Sequence, residues 1–527
     1  MFAASKSIMH RQPQSNSNDI VNITILGGGT AGWITAGVIA AHHKKQKTNL
    51  VNITLVESPT IPIAGVGEGT WPSMRRTLKE MGISETDFLL QCNATFKQGA
   101  KFAKWVNGSD NDAYYHPLVE PSRYHAYNLA NNYVNTPHSV RFESIVCPQG
   151  AVCELDLAPK NLSQREYEGL LNYSYHLDAT AFASFLKKHC IEKLGVNHVI
   201  ADIDQVEGTS ETSITALITE KGEKITGDLF IDCSGFKSRL LGKHYETEYV
   251  SCQETLFCDR AATLHVDYDE GQTIPPYTIS TATQAGWIWD IGLPHRRGIG
   301  HVFSSHHMNN EKAKQCLAKY IRRDISDIDI KYFDINPGHR KVFWKHNCVA
   351  VGLSAGFLEP LEASSLVLVE MAAKYIAEHL PKTSCVMPIV AKKFNQTFLA
   401  RWEQIIDFLK LHYVLSERPE PFWEMHRNKD TWPDSLVDNL MLWKYQPPWH
   451  SDFAFVEEVF PSASYQYVLY GMQPNFTSSN NIDALECEQL MREETTKRKQ
   501  QIQYFKNQLY DQRTLLNNIA KFGLPSH

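Results

Sequence analysis

Four groups of residues in this chain have types and spacings suited to chemistry. The first is Gly27-Gly28-Gly29-Thr30-Ala31-Gly32, a Gly-x-Gly-x-x-Gly turn between the apolar run Ile20–Leu26 and a helical pattern that begins at Trp33. Glycines there let the backbone approach a pyrophosphate, and the helix start offers free N–H groups and the positive end of its dipole. A second apolar run, Val51–Val56, ends at Glu57, whose carboxylate can accept both ribose hydroxyls of an adenosine. One such fingerprint implies one dinucleotide, and these residues alone leave FAD and NAD open. The second group is Lys97, which on its own reads as one surface charge among Lys97, Lys101 and Lys104. The third is Glu362, just before the helical pattern Ser364–His379; the amides of Ala363, Ser364 and Ser365 are expected as free donors that favour an anion. Without further context Glu362 is a first-turn acid on the helix dipole. Last, Trp287 and Trp289 alternate at strand spacing and share a face, as core residues do.

The elements that must position these residues form an alternating pattern. The strand, glycine turn, helix and second strand make a β-α-β unit with a right-handed crossover. A helix over Phe182–Lys193, strands within Val199–Val206, Ser213–Thr219, Asp228–Cys233 and Cys348–Val351, and a helix over Ser364–His379 extend it into an α/β core. After about Phe394 the pattern is mainly helical and aromatic through Met472, and Asp483–Ala520 reads as one long solvated helix. Residues 1–18, rich in Ser, Asn and Gln, read as a disordered tail.

Composition excludes other classes. With 527 residues, 43% hydrophobic and 21% charged, the chain is globular and too long for one small core. Lys+Arg 52 against Asp+Glu 58 gives −6 with no basic block, which argues against a nucleic-acid partner. No apolar run spans a bilayer and the start lacks a signal-peptide core, so no membrane association and a cytoplasmic location are expected. Eleven cysteines without a C-x-x-C pair suit reduced thiols and no metal site.

Longer motifs narrow the function. Gly65-Val66-Gly67-Glu68-Gly69-Thr70-Trp71-Pro72, Asn93-Ala94-Thr95-Phe96-Lys97, Gly286-Trp287-Ile288-Trp289-Asp290-Ile291 and Phe357-Leu358-Glu359-Pro360-Leu361-Glu362-Ala363-Ser364 occur in order. So do His176–Ala179, Glu192–Val196, Asp232–Phe236, and Asp407-Phe408 through Phe422-Trp423. In these, from about Ile25 to Met472, the chain resembles the flavin-dependent halogenases, typified by tryptophan halogenases. The resemblance implies an enzyme that uses FADH2, O2 and halide to make hypohalous acid and halogenate an electron-rich aromatic, indole-like or phenolic. It implies a Rossmann-type FAD-binding α/β core over 19–393, with substrate-site segments at about 110–180 and 255–335. A mainly helical substrate-covering lobe with a C-terminal helix follows over 394–527.

The resemblance also implies roles. FAD is expected on Gly27, Gly29, Thr30, Ala31, Gly32 and Glu57, with Ile203 and Leu353, and halide, bromide or chloride, at the amides of Ser364 and Ser365. Lys97 becomes the catalytic lysine, either hydrogen-bonding hypohalous acid or carrying the halogen as a haloamine, and Glu362 faces it across the substrate site. His116, Trp287 and Trp289 line that site, the tryptophans walling the substrate from the flavin. A separate flavin reductase is the expected partner; the oligomeric state stays open. A flavin monooxygenase on the same fold and a non-catalytic flavin-binding protein are the alternatives. Three departures from the tryptophan halogenases matter: Ala363-Ser364-Ser365 for Ser-Thr-Gly, Leu118 for Phe, and no tyrosine pair in Lys444–Phe453. They lead us to expect bromide over chloride and an arene other than free tryptophan.

Overall fold

The computed structural model describes residues 20–46, 51–61, 67–135, 140–453, 455, 457–472 and 484–526. The expected tail at 1–18 and the first residues of the second motif, Gly65 and Val66, lie outside the described residues.

The nucleotide-binding half is a six-stranded sheet in the order Trp344–Lys345, Cys348–Ala350, Leu229–Asp232, Asn22–Leu26, Asn52–Glu57, Asn197–Ile200. Five strands are parallel, and Trp344–Lys345 pairs antiparallel at the edge. The central strands are buried on both faces, since successive residues of 23–26 and Leu229–Asp232 are all buried, Thr24 and Asp232 included. The helix Thr30–Gln46 packs between Ala179–Leu194 and Ser364–Glu378. Asp178 caps Ala179–Leu194 by accepting from the amides of Thr180 and Ala181, and Gly195, at φ 75°, ends it.

The second half is built on a seven-stranded sheet, ordered Lys331–Asp334, Arg260–Asp267, Arg296–Phe303, Gly286–Gly292, Thr278–Thr283, Gly99–Ala103, Ala113–Pro117. Its one parallel pairing joins Thr278–Thr283 to Gly99–Ala103, which sets the chain just after Lys97 beside the hairpin that carries Trp287 and Trp289. A small sheet of Glu68–Gly69, Ser174–Leu177 and Thr95–Lys97 links the halves.

The helix Met387–Val414 runs unbroken through position 394, and the helical segments after it share one hydrophobic core with both sheets. The C-terminal segment departs from the expected single solvated helix. It is two helices, Ala484–Gln508 and Gln512–Phe522, with Asp511 capping the second by accepting from the Thr514 amide. Cys487, Leu515 and Ile519 are buried, and the Glu494 carboxylate is enclosed by Arg123, Lys497 and Arg498 at 3.1–3.4 Å. The charge density suggests solvent because a sequence does not show that Arg123 comes from elsewhere to cover Glu494. Among the described residues no helix is long and apolar enough to cross a membrane, and no group of side chains is arranged to hold a metal ion. All eleven cysteines are unbridged, nine of them buried.

Candidate active site

The glycine turn is shaped by close approach. A Cβ on Gly27, which sits at φ 122°, would lie 2.2 Å from the Cys233 carbonyl, and one on Gly32 would lie 1.9 Å from the Gly27 carbonyl. Gly28, a free position in the fingerprint, is equally constrained, since its Cβ would strike the Glu57 side chain at 2.3 Å. Nothing stands within 4 Å of a Cβ on Gly29, which leaves open space before the N-terminus of Thr30–Gln46. Leu353 lies in the turn Gly352–Ser354, whose Gly352 approaches the Ala31 methyl. Ile203 is buried at the start of Ile203–Glu207. Glu57 accepts from Lys187 at 2.9 Å and is paired with His198 at 2.7 Å, both through Oε2. A tight turn, open space at a helix start and a fixed carboxylate are what a dinucleotide requires, so these residues fit FAD.

Lys97 ends the strand Thr95–Lys97, paired opposite Ser174, and is buried at 3% exposure. Its ammonium donates to the Thr70 carbonyl at 3.2 Å and lies 5.9 Å from the Trp71 ring. Burial lowers its pKa to about 8 against the opposing pull of Glu362. Gly69 lies beside both residues: a Cβ on it would be in ordinary van der Waals contact with Lys97 Nζ at 3.4 Å and with the Ala363 methyl at 3.5 Å.

Glu362 and Ala363 are both left-handed, at φ 63° and φ 54°, in the turn Leu361–Ala363. Each such non-glycine residue costs about 1–3 kcal/mol, and strain of this kind clusters at functional sites. Trp71 Nε1 pins the turn by donating to the Glu362 carbonyl at 2.8 Å. The Ala363 amide donates to the Pro360 carbonyl at 3.1 Å, so the expectation of a free donor at Ala363 is corrected: the left-handed turn folds that N–H back. Ser364 opens the helix Ser364–Glu378 without a side-chain cap, and it is buried while Ser365 is half-buried. On the side chain, Glu362 Oε1 meets His116 Nδ1 at 2.7 Å and His412 Nε2 at 3.3 Å. Burial alone would raise this carboxyl, but the two histidines hold it well below the usual carboxylate range.

Trp287 and Trp289 lie on Gly286–Gly292, their rings 6.2 Å apart. Trp287 Nε1 donates to Glu359 at 2.9 Å, and Tyr413 donates to the same oxygen at 2.7 Å. Trp289 covers Gly300, where a Cβ would come within 2.0 Å of its ring. Around Glu362 a second aromatic group assembles: Trp71 with His116 at 5.9 Å, Trp71 with Phe460 at 5.4 Å, and Phe408 stacked on Phe460 at 4.0 Å. Reading the sequence missed Phe460, His412, Lys187 and His198 as site residues. Only His412 left a trace, one helical turn beyond Phe408 of a recognised motif.

Comparison with known proteins agrees over nearly the whole chain. The family model described as tryptophan halogenase matches residues 22–484. The chain is 42% identical to a tryptophan halogenase of known structure from Shewanella frigidimarina, with TM-score 0.93 over 97% of this chain and 99% of that one. It is 31% identical to the tryptophan 6-halogenase ThaL of Streptomyces albogriseolus, covering 81% of this chain and 82% of that protein. Tar14, described as a tryptophan C-6 flavin-dependent halogenase from taromycin biosynthesis, superimposes with TM-score 0.85 and 28% identity, covering 95% and 100% of the two chains. With a glycine turn shaped for FAD, a buried lysine and a strained, histidine-clamped glutamate, the chain belongs to the tryptophan halogenase family and is a flavin-dependent halogenase of aromatic substrates.

Proposed function

We propose that this chain halogenates an electron-rich arene other than free tryptophan, with Lys97 carrying the halogen and Glu362 receiving the ring proton. One observation carries the reading: a lysine and a glutamate are buried beside one tryptophan, Trp71, which binds the Glu362 carbonyl and lies under the Lys97 ammonium. Bound on Gly27, Gly29, Thr30, Ala31, Gly32, Glu57, Ile203 and Leu353, reduced FAD with O2 supplies the two-electron oxidation that converts halide to hypohalous acid. The amides of Ser364 and Ser365 hold the halide, and Ser365 at the family's glycine position favours bromide. A desolvated Lys97 at about 8 presents a substantial share of free amine near neutrality, which favours a haloamine over a hydrogen-bonded hypohalous acid. The Lys97 amine takes the halogen from hypohalous acid with loss of water. The arene then attacks that halogen, the N–halogen bond breaks with its electron pair returning to the lysine nitrogen, the ring gives its proton to Glu362, and the C–H electrons restore aromaticity. Trp71, His116, Phe408 and Phe460 wall the arene, while Trp287 and Trp289 separate it from the flavin.

Against free tryptophan stands the segment Lys444–Phe453. Asp452 accepts from the Trp449 amide of its own turn, and the Pro448 carbonyl accepts from Gln466 and Asn128, so these groups are engaged within the protein. A separate reductase supplies FADH2, in keeping with the single dinucleotide fingerprint. The test is product mass from an arene panel including tryptophan and indole, with a flavin reductase and each halide. Indole is expected to exceed tryptophan in kcat/KM and bromide to exceed chloride; the reverse order in either series refutes that part.

A further inference from the structure

The two histidines on Glu362 are not equivalent, and their other nitrogens show why. His116 Nε2 faces the Ser464 hydroxyl at 3.0 Å, which donates or accepts as required. A neutral His116 therefore satisfies everything around it: Nδ1–H donates to Glu362, and Nε2 accepts from Ser464. His412 has no such freedom. Its Nδ1 lies 2.8 Å from the Phe408 carbonyl, one turn back on Met387–Val414, and a carbonyl only accepts. Nδ1 must hold a hydrogen, so a neutral His412 turns a bare Nε2 lone pair toward Glu362 Oε1 at 3.3 Å. Two acceptors facing each other in a buried site are repulsive, and each lacks the hydrogen bond it needs. One further proton removes the conflict.

We propose that His412 is an imidazolium in the resting enzyme, its Nε2 proton held against the Glu362 carboxylate, which makes it a positioning residue for the catalytic base. The inference rests on the role of Glu362 proposed above and deepens it. His116 and His412 both fall on Oε1, which leaves Oε2 for the reacting ring. With His412 charged, Oε1 carries two N–H donors and the carboxylate cannot rotate without breaking both. Packing about His412 is apolar on its other sides, with Phe102 at 4.9 Å, Trp105 at 6.0 Å and Phe408 at 5.0 Å. The titratable groups facing Glu362 are Lys97 on Thr95–Lys97, with Tyr114 and His116 on Ala113–Pro117. Across the helix, Glu359 is bound by Tyr413 and Trp287. Among the described residues, Glu362 is the carboxylate hydrogen-bonded to His412. The His116 hydrogen bond at 2.7 Å to the same Oε1 favours a carboxylate there over a carboxylic acid whose O–H points at His412.

Long-range 1H–15N correlation spectra of the full chain with ring-15N histidine read the charge directly, with His412 assigned by its loss in His412→Gln. Both ring nitrogens of His412 should be protonated at neutral pH, and Glu362→Gln should convert the ring to the neutral Nδ1–H form. A wild-type His412 with a bare Nε2 overturns the proposal, even if Glu362→Gln is inactive. A charged His412 together with full halogenation by Glu362→Gln leaves the ion pair standing and removes the proposed base. For the positioning role the readout is pH dependence. Wild-type halogenated product per flavin oxidised should have an alkaline limb that His412→Gln lacks, because an amide cannot lose its proton there. His412→Phe should cost at least about tenfold across the range. An identical alkaline limb in His412→Gln overturns the positioning role.

Discussion

Lys97 and Glu362 reach Trp71 from opposite kinds of backbone. Lys97 ends a regular strand, where among the described residues the Thr70 carbonyl accepts from its ammonium, and burial lowers its pKa. Glu362 rides two successive left-handed residues, and two histidines overcome the same burial to keep it ionised. In the proposed roles, the electrophile side has few hydrogen-bond partners and the base side gains them. Both arrangements cost stability, one in desolvation and the other in backbone strain, which is how a site held for reactivity differs from a core held for packing.

The largest expected effect breaks the electrophile side. Lys97→Ala should lower halogenated product by at least about 100-fold while oxidation of FADH2 by O2 continues, so product per flavin oxidised collapses. Glu362→Gln should be the milder lesion, because an amide keeps the shape of the carboxylate and loses only its basicity. Liquid chromatography with mass detection beside flavin absorbance measures both, and a more active Lys97→Ala than Glu362→Gln would invert the comparison.

A pH series sharpens it. A free-amine carrier requires unprotonated Lys97, so product per flavin oxidised should rise with pH through about 8. A hydrogen-bonding ammonium would give a fall over the same range. Any alkaline limb from the Glu362–His412 pair would then turn the rise into a bell.

How much of this was legible in the sequence follows the same division. Spacing marked the glycine turn, whereas Lys97 and Glu362 stood out only through the family resemblance that their contiguous motifs carry. The partners that tune them come from afar: Lys187 and His198 reach Glu57, and His412 reaches Glu362. Nothing local marks a histidine fifty positions downstream as the second donor to a carboxylate. The α/β core was legible because its parallel strands are rich in β-branched and apolar residues and the first is followed at once by a glycine turn and a helix. The C-terminal helices were not, because a charged stripe looks the same in water as under Arg123. Ala363 shows the limit within a motif, since pattern places it at a helix start while its left-handed φ, invisible in sequence, turns its amide back to Pro360.

Stability separates the two sides next. Folded Lys97 titrates near 8 and the unfolded side chain at its ordinary 10.5, so between those values only the unfolded chain binds the proton and stability rises with pH. Below about 8 the buried ammonium carries its full cost. Lys97→Met should therefore stabilise the protein at neutral pH, by up to about 3 kcal/mol, and the gain should shrink as pH rises toward the ordinary lysine value. Urea midpoints of the two proteins across this range check it, and a gain that does not depend on pH would assign the effect to packing instead.

The smallest effect is expected on the base side, where the cost lies in the backbone. Ala363 at φ 54° bears a Cβ that the left-handed region penalises, whereas glycine enters that region freely. Ala363→Gly removes about 1–2 kcal/mol of that strain but loosens the unfolded chain by about 0.4–1 kcal/mol, so the net gain should be no more than about 1.6 kcal/mol. It should not depend on pH, because no titrating group changes, and that independence distinguishes it from Lys97→Met. The Ala363 methyl also meets the space beside Gly69 and Lys97, so its loss should loosen the seat of Glu362 and lower product per flavin oxidised by a few fold. A more stable and less active Ala363→Gly would show that the turn's strain is retained for the site. A variant that is less stable and fully active would show that the left-handed turn is held by packing alone and that Glu362 needs no such seat.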